Sequence, residues 1–281
     1  MKHRLCVILM ALVCLTGCAG EERKGALAEN GLTPVNVTSV TEEGKAAFRQ
    51  KTDEIEAEKR AEEERKEKNP RGNFLIAIDA GHQARGNSEK EPIGPGAAEQ
   101  KAKVAGGTRG VSTGIPEYEL TLQVSLKLRD ALEEKGYQVL MIRETNDVNI
   151  SNAERAIVAN DAGANAFIRI HADGSESSSA AGMMTICQTP SNPYNGAIYQ
   201  QSRALADCIL NQAVAATGAA KRNVWETDTM SGINWAQVPT TILEMGFMTN
   251  PSEDQQMAED EYQEKIVGGI VRGMDAFFGV E

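Results

Sequence analysis

The stretch Pro116–Gly136, PEYELTLQVSLKLRDALEEKG, decides the fold. Leu120, Leu122, Val124, Leu126 and Leu128 alternate as in a half-buried strand, whereas Leu120, Val124, Leu128 and Leu132 recur every four residues, as on one face of a helix. The run is long for a strand, its β-branched residues are Thr121 and Val124 alone, and Gly136 supplies a stop signal. The spacing predicts a helix.

With that helix in place the flanking segments alternate in type. FLIAIDAGH (Phe74–His82) reads as a buried strand, YQVLMIRE (Tyr137–Glu144) as a strand, and SNAERAIVANDAG (Ser151–Gly163) as a helix opened by a Ser/Asn cap with an acid near its third position. NAFIRIHAD (Asn165–Asp173), GMMTICQ (Gly182–Gln188) and TTILEMGF (Thr240–Phe247) are further strands. AIYQQSRALADCILNQAVAATG (Ala197–Gly218) and the segment around YQEKIVGGIVRGMDAFF (Tyr262–Phe278) are helices. Strands alternating with helices of a dozen or more residues imply an α/β single domain, a mainly parallel central sheet with helices on both faces. Its expected extent is residues 73–281. The polar, glycine-rich segment Gln83–Ile115 reads as a long loop without regular structure, of the kind that is usually functional or mobile.

Outside that domain the chain has a different texture. The first residues, MKHRLCVILMALVCLTGCAG, pass from a basic start to an apolar run, Leu5–Leu15, the order of an export signal too short to span a bilayer comfortably. The run closes on LTGC, Leu15–Cys18, which resembles the lipobox of bacterial lipoproteins. That resemblance implies removal of residues 1–17 and lipid on Cys18, hence a membrane anchor and a location outside the cytoplasm. Residues 51–70, KTDEIEAEKRAEEERKEKNP, hold eight acids and six bases, with Ile55 the only large apolar side chain, so they can form a solvated helix but cannot bury a face. Residues 18–72 are expected to be a charged tether, flexible or helical.

The 281 residues carry 40 acids against 29 bases, a formal charge of −11, which argues against nucleic-acid binding. Of five cysteines, Cys187 and Cys208 fall in the expected domain, and sequence leaves open whether they pair or stay as buried thiols. They lack the close spacing of a thiolate zinc site. HExxH and GxSxG motifs are both absent.

In open α/β sheets functional groups collect where strands end. Asp79 and His82 follow FLIAI, His171 follows FIRI and Glu244 follows TTIL. The chain has three histidines, and the two beyond His3 both stand at predicted strand ends. Two imidazoles with one carboxylate form a recurrent catalytic zinc site, and with no third histidine in the domain the third ligand has to be a carboxylate.

IAIDAGH, GIPEYELTL, SNAERAIVAN, FIRIHAD and VPTTILEMGFMTN, in that order and spacing, resemble the zinc-dependent N-acetylmuramoyl-L-alanine amidases of bacterial cell walls, the amidase-3 type. The resemblance covers almost all of Phe74–Phe278. It implies one Zn2+ held by His82, Glu117 and His171, with Glu244 as the catalytic acid and base, and peptidoglycan as the substrate. Glu117, rather than its neighbour Glu119, matches because it precedes the first apolar helix position, Leu120, by three. Asp79 is expected to support the site or form its turn, while Arg155 and Asn250 are expected to be structural, an ion-paired helix arginine and a cap. Trp225 and Trp235 are candidates for the groove or the core. The chain departs from the family pattern in GHQARGNSEKEP, where a glycine pair is usual, and in Asp173, where Asn is frequent. A monomer is expected. The rival readings are an amidase of free muropeptides and a catalytically silent wall-binding lipoprotein.

Overall fold

The computed structural model describes residues 42–280. The expectations for residues 1–17 and for Cys18 lie outside the described residues. Helix α1 (Glu42–Lys68) spans the charged segment, and Phe48 on it is half-exposed. Among the described residues no helix is long and apolar enough to cross a membrane.

The remaining elements form a sheet domain. They are β1 (Leu75–Ala80), β2 (Asn87–Pro92), β3 (Gln100–Val104), α2 (Glu117–Glu134), β4 (Gln138–Met141), α3 (Asn152–Asp161), β5 (Ala166–Asp173) and β6 (Met183–Cys187). They continue with α4 (Tyr199–Thr217), β7 (Lys221–Glu226), α5 (Ser231–Asn234), β8 (Thr240–Phe247), α6 (Pro251–Ala258) and α7 (Asp260–Phe278). The central sheet has six strands in the order β4-β1-β5-β8-β6-β7. β4, β1, β5 and β8 are mutually parallel, while β6 runs antiparallel to β8 and carries β7 parallel to itself. This is the mostly parallel α/β sheet that the alternating elements imply.

The two-residue period of a strand divides its side chains between two layers. Ile76, Ile78, Ile168, Ile170, Leu243 and Met245 pack with Leu120, Val124, Leu128 and Leu132 of α2 and with apolar stripes of α4 and α7. The predicted four-residue stripe of α2 is therefore its buried face. On the opposite layer Ala77 and Phe167 meet Ala156 and Ala159 of α3, and Ile242 and Ile186 meet Ile233 of α5. Towards the strand ends the positions on that side turn polar, with Asp79, Arg169, His171 and Glu244. Ser151 opens α3 with a capping box, its hydroxyl accepting from the Glu154 amide while the Glu154 carboxylate accepts from the Ser151 amide.

The segment Gln83–Ile115 departs from expectation. It contains the antiparallel hairpin β2–β3, and the turn after it is fixed by Asp254 of α6, whose carboxylate accepts from the amides of Ser112 and Thr113 at 2.6 and 2.8 Å. Buried Glu91 on β2 accepts from the Ala153 amide at the start of α3, so the hairpin base is anchored as well. Three further short elements, β7, α5 and α6, also depart from the sequence reading, which has no strand or helix there. Cys187 and Cys208 are both free thiols.

Candidate metal centre and active site

β1, β5 and β8 end together at one edge of the sheet, and the register sets Asp79 beside Arg169 and His171 beside Glu244. All four side chains belong to the polar side of their strands. β1 then turns through Gly81 and His82. A Cβ on Gly81 would lie 2.4 Å from the His171 ring, so only glycine lets the turn pass that close. His82 has φ +60°, the one left-handed non-glycine residue described, a conformation that costs roughly 1–3 kcal/mol and persists where the surroundings enforce it.

Two buried arginines supply that enforcement. Arg155 of α3 donates to the Ala80 and His82 carbonyls at 3.0 Å each, to Gln83 Oε1 at 2.9 Å and to Asp79 Oδ1 at 2.6 Å. Arg143 donates to the carbonyls of Ala80, Gly81 and Tyr118 at 2.8–2.9 Å. The turn that presents His82 is thus held by guanidinium groups and by the Thr121 hydroxyl, which donates to the Gly81 carbonyl at 2.8 Å beside Arg143.

His82, Glu117 and His171 converge. Their candidate ligand atoms all lie within 4.8 Å of one another, with Glu117 Oε1 at 3.0 Å from His82 Nε2 and 3.2 Å from His171 Nδ1, and 3.2 Å between the two nitrogens. Glu117 opens α2, where its other oxygen accepts from the Thr108 amide at 2.9 Å and Oε1 accepts from the Ala172 amide at 3.2 Å. Glu119 lies outside the cluster, on the first turn of α2.

The donor set fits a cation. His82 Nδ1 stands 2.9 Å from the Ala105 carbonyl, which can only accept, so the proton of a neutral His82 is on Nδ1 and an unshared pair on Nε2 faces the cluster. Burial opposes ionisation of Glu117, but hydrogen bonds from His171 and His82 more than offset it and hold its carboxyl well below the usual range. Burial pushes His171 down to about 4 despite Glu117, leaving its imidazole neutral at pH 7. Burial opposes a charge on His82, but the hydrogen bond and charge of Glu117 raise its pKa above the ordinary value, and His171 Nε2 is buried without a partner. Two nitrogens and one oxygen are the ligand types of a catalytic zinc.

Glu244 and Asp79 have different surroundings. Burial, followed by the nearby carboxylates of Glu117 and Asp173, raises the Glu244 pKa well above its usual value, and Glu244 Oε2 has no hydrogen-bond partner. Asp79 touches neither histidine. It is fully buried between Arg155 and Arg169, 2.6 and 2.9 Å away, and although burial pushes its pKa up, the two guanidiniums bring it down to about 2. It reaches the centre through Arg155, which grips the His82 backbone. Asn250 caps α6 through the amides of Ser252 and Glu253.

A cleft of about 480 Å³ opens over the strand ends, lined by His82, His171 and Glu244, by Gln100, Lys101, Ala102, Val104 and Ala105 of the hairpin arm and by Thr229–Gly232. Trp225 is about half-exposed on the edge strand β7 and does not line the cleft. Trp235 packs behind it, its indole donating to the Pro92 carbonyl at 2.9 Å. Arg169 and Arg143 are missing from the sequence-based site. Their signal is an arginine within or just after an apolar strand, which needs an acid or carbonyls once buried, and Asp79 is the acid that register supplies to Arg169.

The profile of the amidase-3 family, described as N-acetylmuramoyl-L-alanine amidase, matches residues 76–276. The chain belongs to that family. This amidase-family chain is 33% identical over 168 residues to the uncharacterised protein YqiI of Bacillus subtilis, covering 60% of this chain and 77% of that one. It is 28% identical over 219 residues to N-acetylmuramoyl-L-alanine amidase Rv3717 of Mycobacterium tuberculosis, covering 74% and 88%. Among solved structures, the N-acetylmuramyl-L-alanine amidase Ami1 of Mycobacterium smegmatis superposes with a TM-score of 0.66 at 28% identity, covering 73% of this chain and 97% of that one.

Proposed function

We propose that this protein is a zinc-dependent N-acetylmuramoyl-L-alanine amidase, cutting the amide between N-acetylmuramic acid and the L-alanine of the peptidoglycan stem peptide. The observation that carries this reading is the convergence of two imidazoles and one carboxylate beside the unpaired, buried carboxyl of Glu244. The names of the mycobacterial relatives support the same reaction. His82, Glu117 and His171 would hold the ion. A zinc ion there supplies a Lewis acid that activates water and polarises a carbonyl.

The chain's own residues perform the rest. Glu244 takes a proton from the attacking water and delivers it to the leaving nitrogen, a role suited to a carboxyl whose pKa burial has raised. Arg155 and Arg143 keep the His82 turn in register, and the Ala105 carbonyl fixes the His82 tautomer. Asp79 balances part of the arginine charge. The neighbouring positive charge of Arg169 adds to burial in keeping His171 neutral.

The same proposal includes placement. Residues 1–17 act as a signal, Cys18 carries lipid, residues 18–72 form the tether, and residues 73–281 work as a monomer outside the cytoplasm, facing the wall. Incubation of the purified protein and zinc with isolated sacculi tests the reaction. New L-alanine amino termini and peptide-free glycan, read by mass spectrometry, are expected; sacculi that yield neither refute the proposal.

A further inference from the structure

More cationic than anionic side chains line the cleft. Its floor includes Arg169, and its hairpin wall includes Lys90 of β2 and Lys101 of β3, while Glu244 is the one carboxyl among the described residues that line it. Arg169 is 97% buried by the complement of its 3% exposure. Its Nε donates to Asp79 at 2.9 Å and its Nη2 to Asn152 at 2.7 Å. The third nitrogen, Nη1, has no hydrogen bond among the described residues, and it lies so close to Gly232 that a Cβ there would be 1.9 Å from it. Glycine at 232 therefore leaves room for a guanidinium edge at the cleft. Lys90 is exposed with no hydrogen-bonding or ion-pair partner among the described residues, and Lys101 spends one donor on the Thr229 carbonyl. Lys103, on the same hairpin, is instead paired with Glu89 at 2.8 Å and does not line the cleft.

A buried, fixed guanidinium edge with ammonium groups on the hairpin wall of the same cleft is an arrangement that recognises a carboxylate. In the substrate of the proposed reaction the muramic acid carboxyl is consumed in the scissile amide, so free carboxylates lie on the peptide side. The geometry points to a carboxylate subsite formed by Arg169, Lys90 and Lys101, which selects stem peptides with free rather than amidated carboxyl groups. This inference rests on the amidase reading.

The test compares one batch of sacculi before and after carbodiimide-mediated amidation of its carboxyl groups, digested by the full protein with zinc. The expected result is faster release of L-alanine termini from the native sacculi, roughly tenfold, shrinking at high ionic strength. Lys90→Gln lowers the native-to-amidated ratio about fivefold, whereas Lys103→Gln leaves it unchanged. Equal rates on both sacculi, or a ratio that Lys90→Gln does not move, overturn the subsite while the amidase stands. Failure to cut native sacculi overturns both.

Discussion

The same strands write two different surfaces. On β5, Ile168 and Ile170 enter the apolar layer under α2, α4 and α7, while Arg169 and His171 point to the other side, where α3, α5 and the hairpin leave a cleft. β8 repeats the division, with Leu243 and Met245 in the core and Glu244 at the site. One layer is closed by contacts that any volume-matched apolar residue could supply. The other is held by directional bonds from Arg155 and Arg169 to Asp79 and from Arg143 and Arg155 to backbone carbonyls, and it contains unpartnered polar atoms, an unfavourable feature tolerated where chemistry requires it. Stability and function are thus separated by a one-residue step along the chain.

The largest test of that separation is Arg155→Met. Removing one partner leaves Asp79 buried with half its compensation, so about 3–5 kcal/mol of stability should be lost, together with most activity, because the His82 turn loses its clamp. Urea unfolding and sacculus digestion measure the two. On the apolar layer Ile168→Ala should cost about 2–5 kcal/mol while the zinc content of the folded fraction, read by mass spectrometry, stays at the wild-type level. Equal loss of zinc in that variant would break the comparison.

Acid should act through the polar layer. The Asp79 pKa is lower in the folded chain, about 2, than in an unfolded one, so its contribution is complete above about pH 4 and is lost as pH falls towards 2. Urea midpoints across pH 2–5 should decline over that window, and Asp79→Asn should flatten the decline. The smallest expected effect is Ser151→Ala, which removes a cap from α3 and should cost about 1 kcal/mol by the same unfolding assay.

Legibility in the sequence follows the same physics. The core layer was readable because burial imposes periodicity: the four-residue stripe of α2 and the apolar runs of β1, β5 and β8 each announce their element. The strand-end residues were readable because polar groups interrupt those runs at His82, His171 and Glu244. The hairpin was not, since NSEKEP and QKAKV are short, mostly polar and form a separate two-stranded sheet. β7, KRNVWE, is a mostly exposed edge strand and fails for the same reason. The pairing of Asp79 with Arg169 depends on the register of β1 against β5, and the reversal of β6 on its partner order. Neither is written locally.

The most direct test of the central claim measures zinc per chain and L-alanine release for the wild type, Glu244→Gln and His171→Ala side by side. The structure-based account predicts one zinc per chain and turnover in the wild type, one zinc with turnover reduced about 10²–10⁴-fold in Glu244→Gln, and loss of both in His171→Ala. Full turnover in Glu244→Gln, or unchanged zinc in His171→Ala, would contradict it.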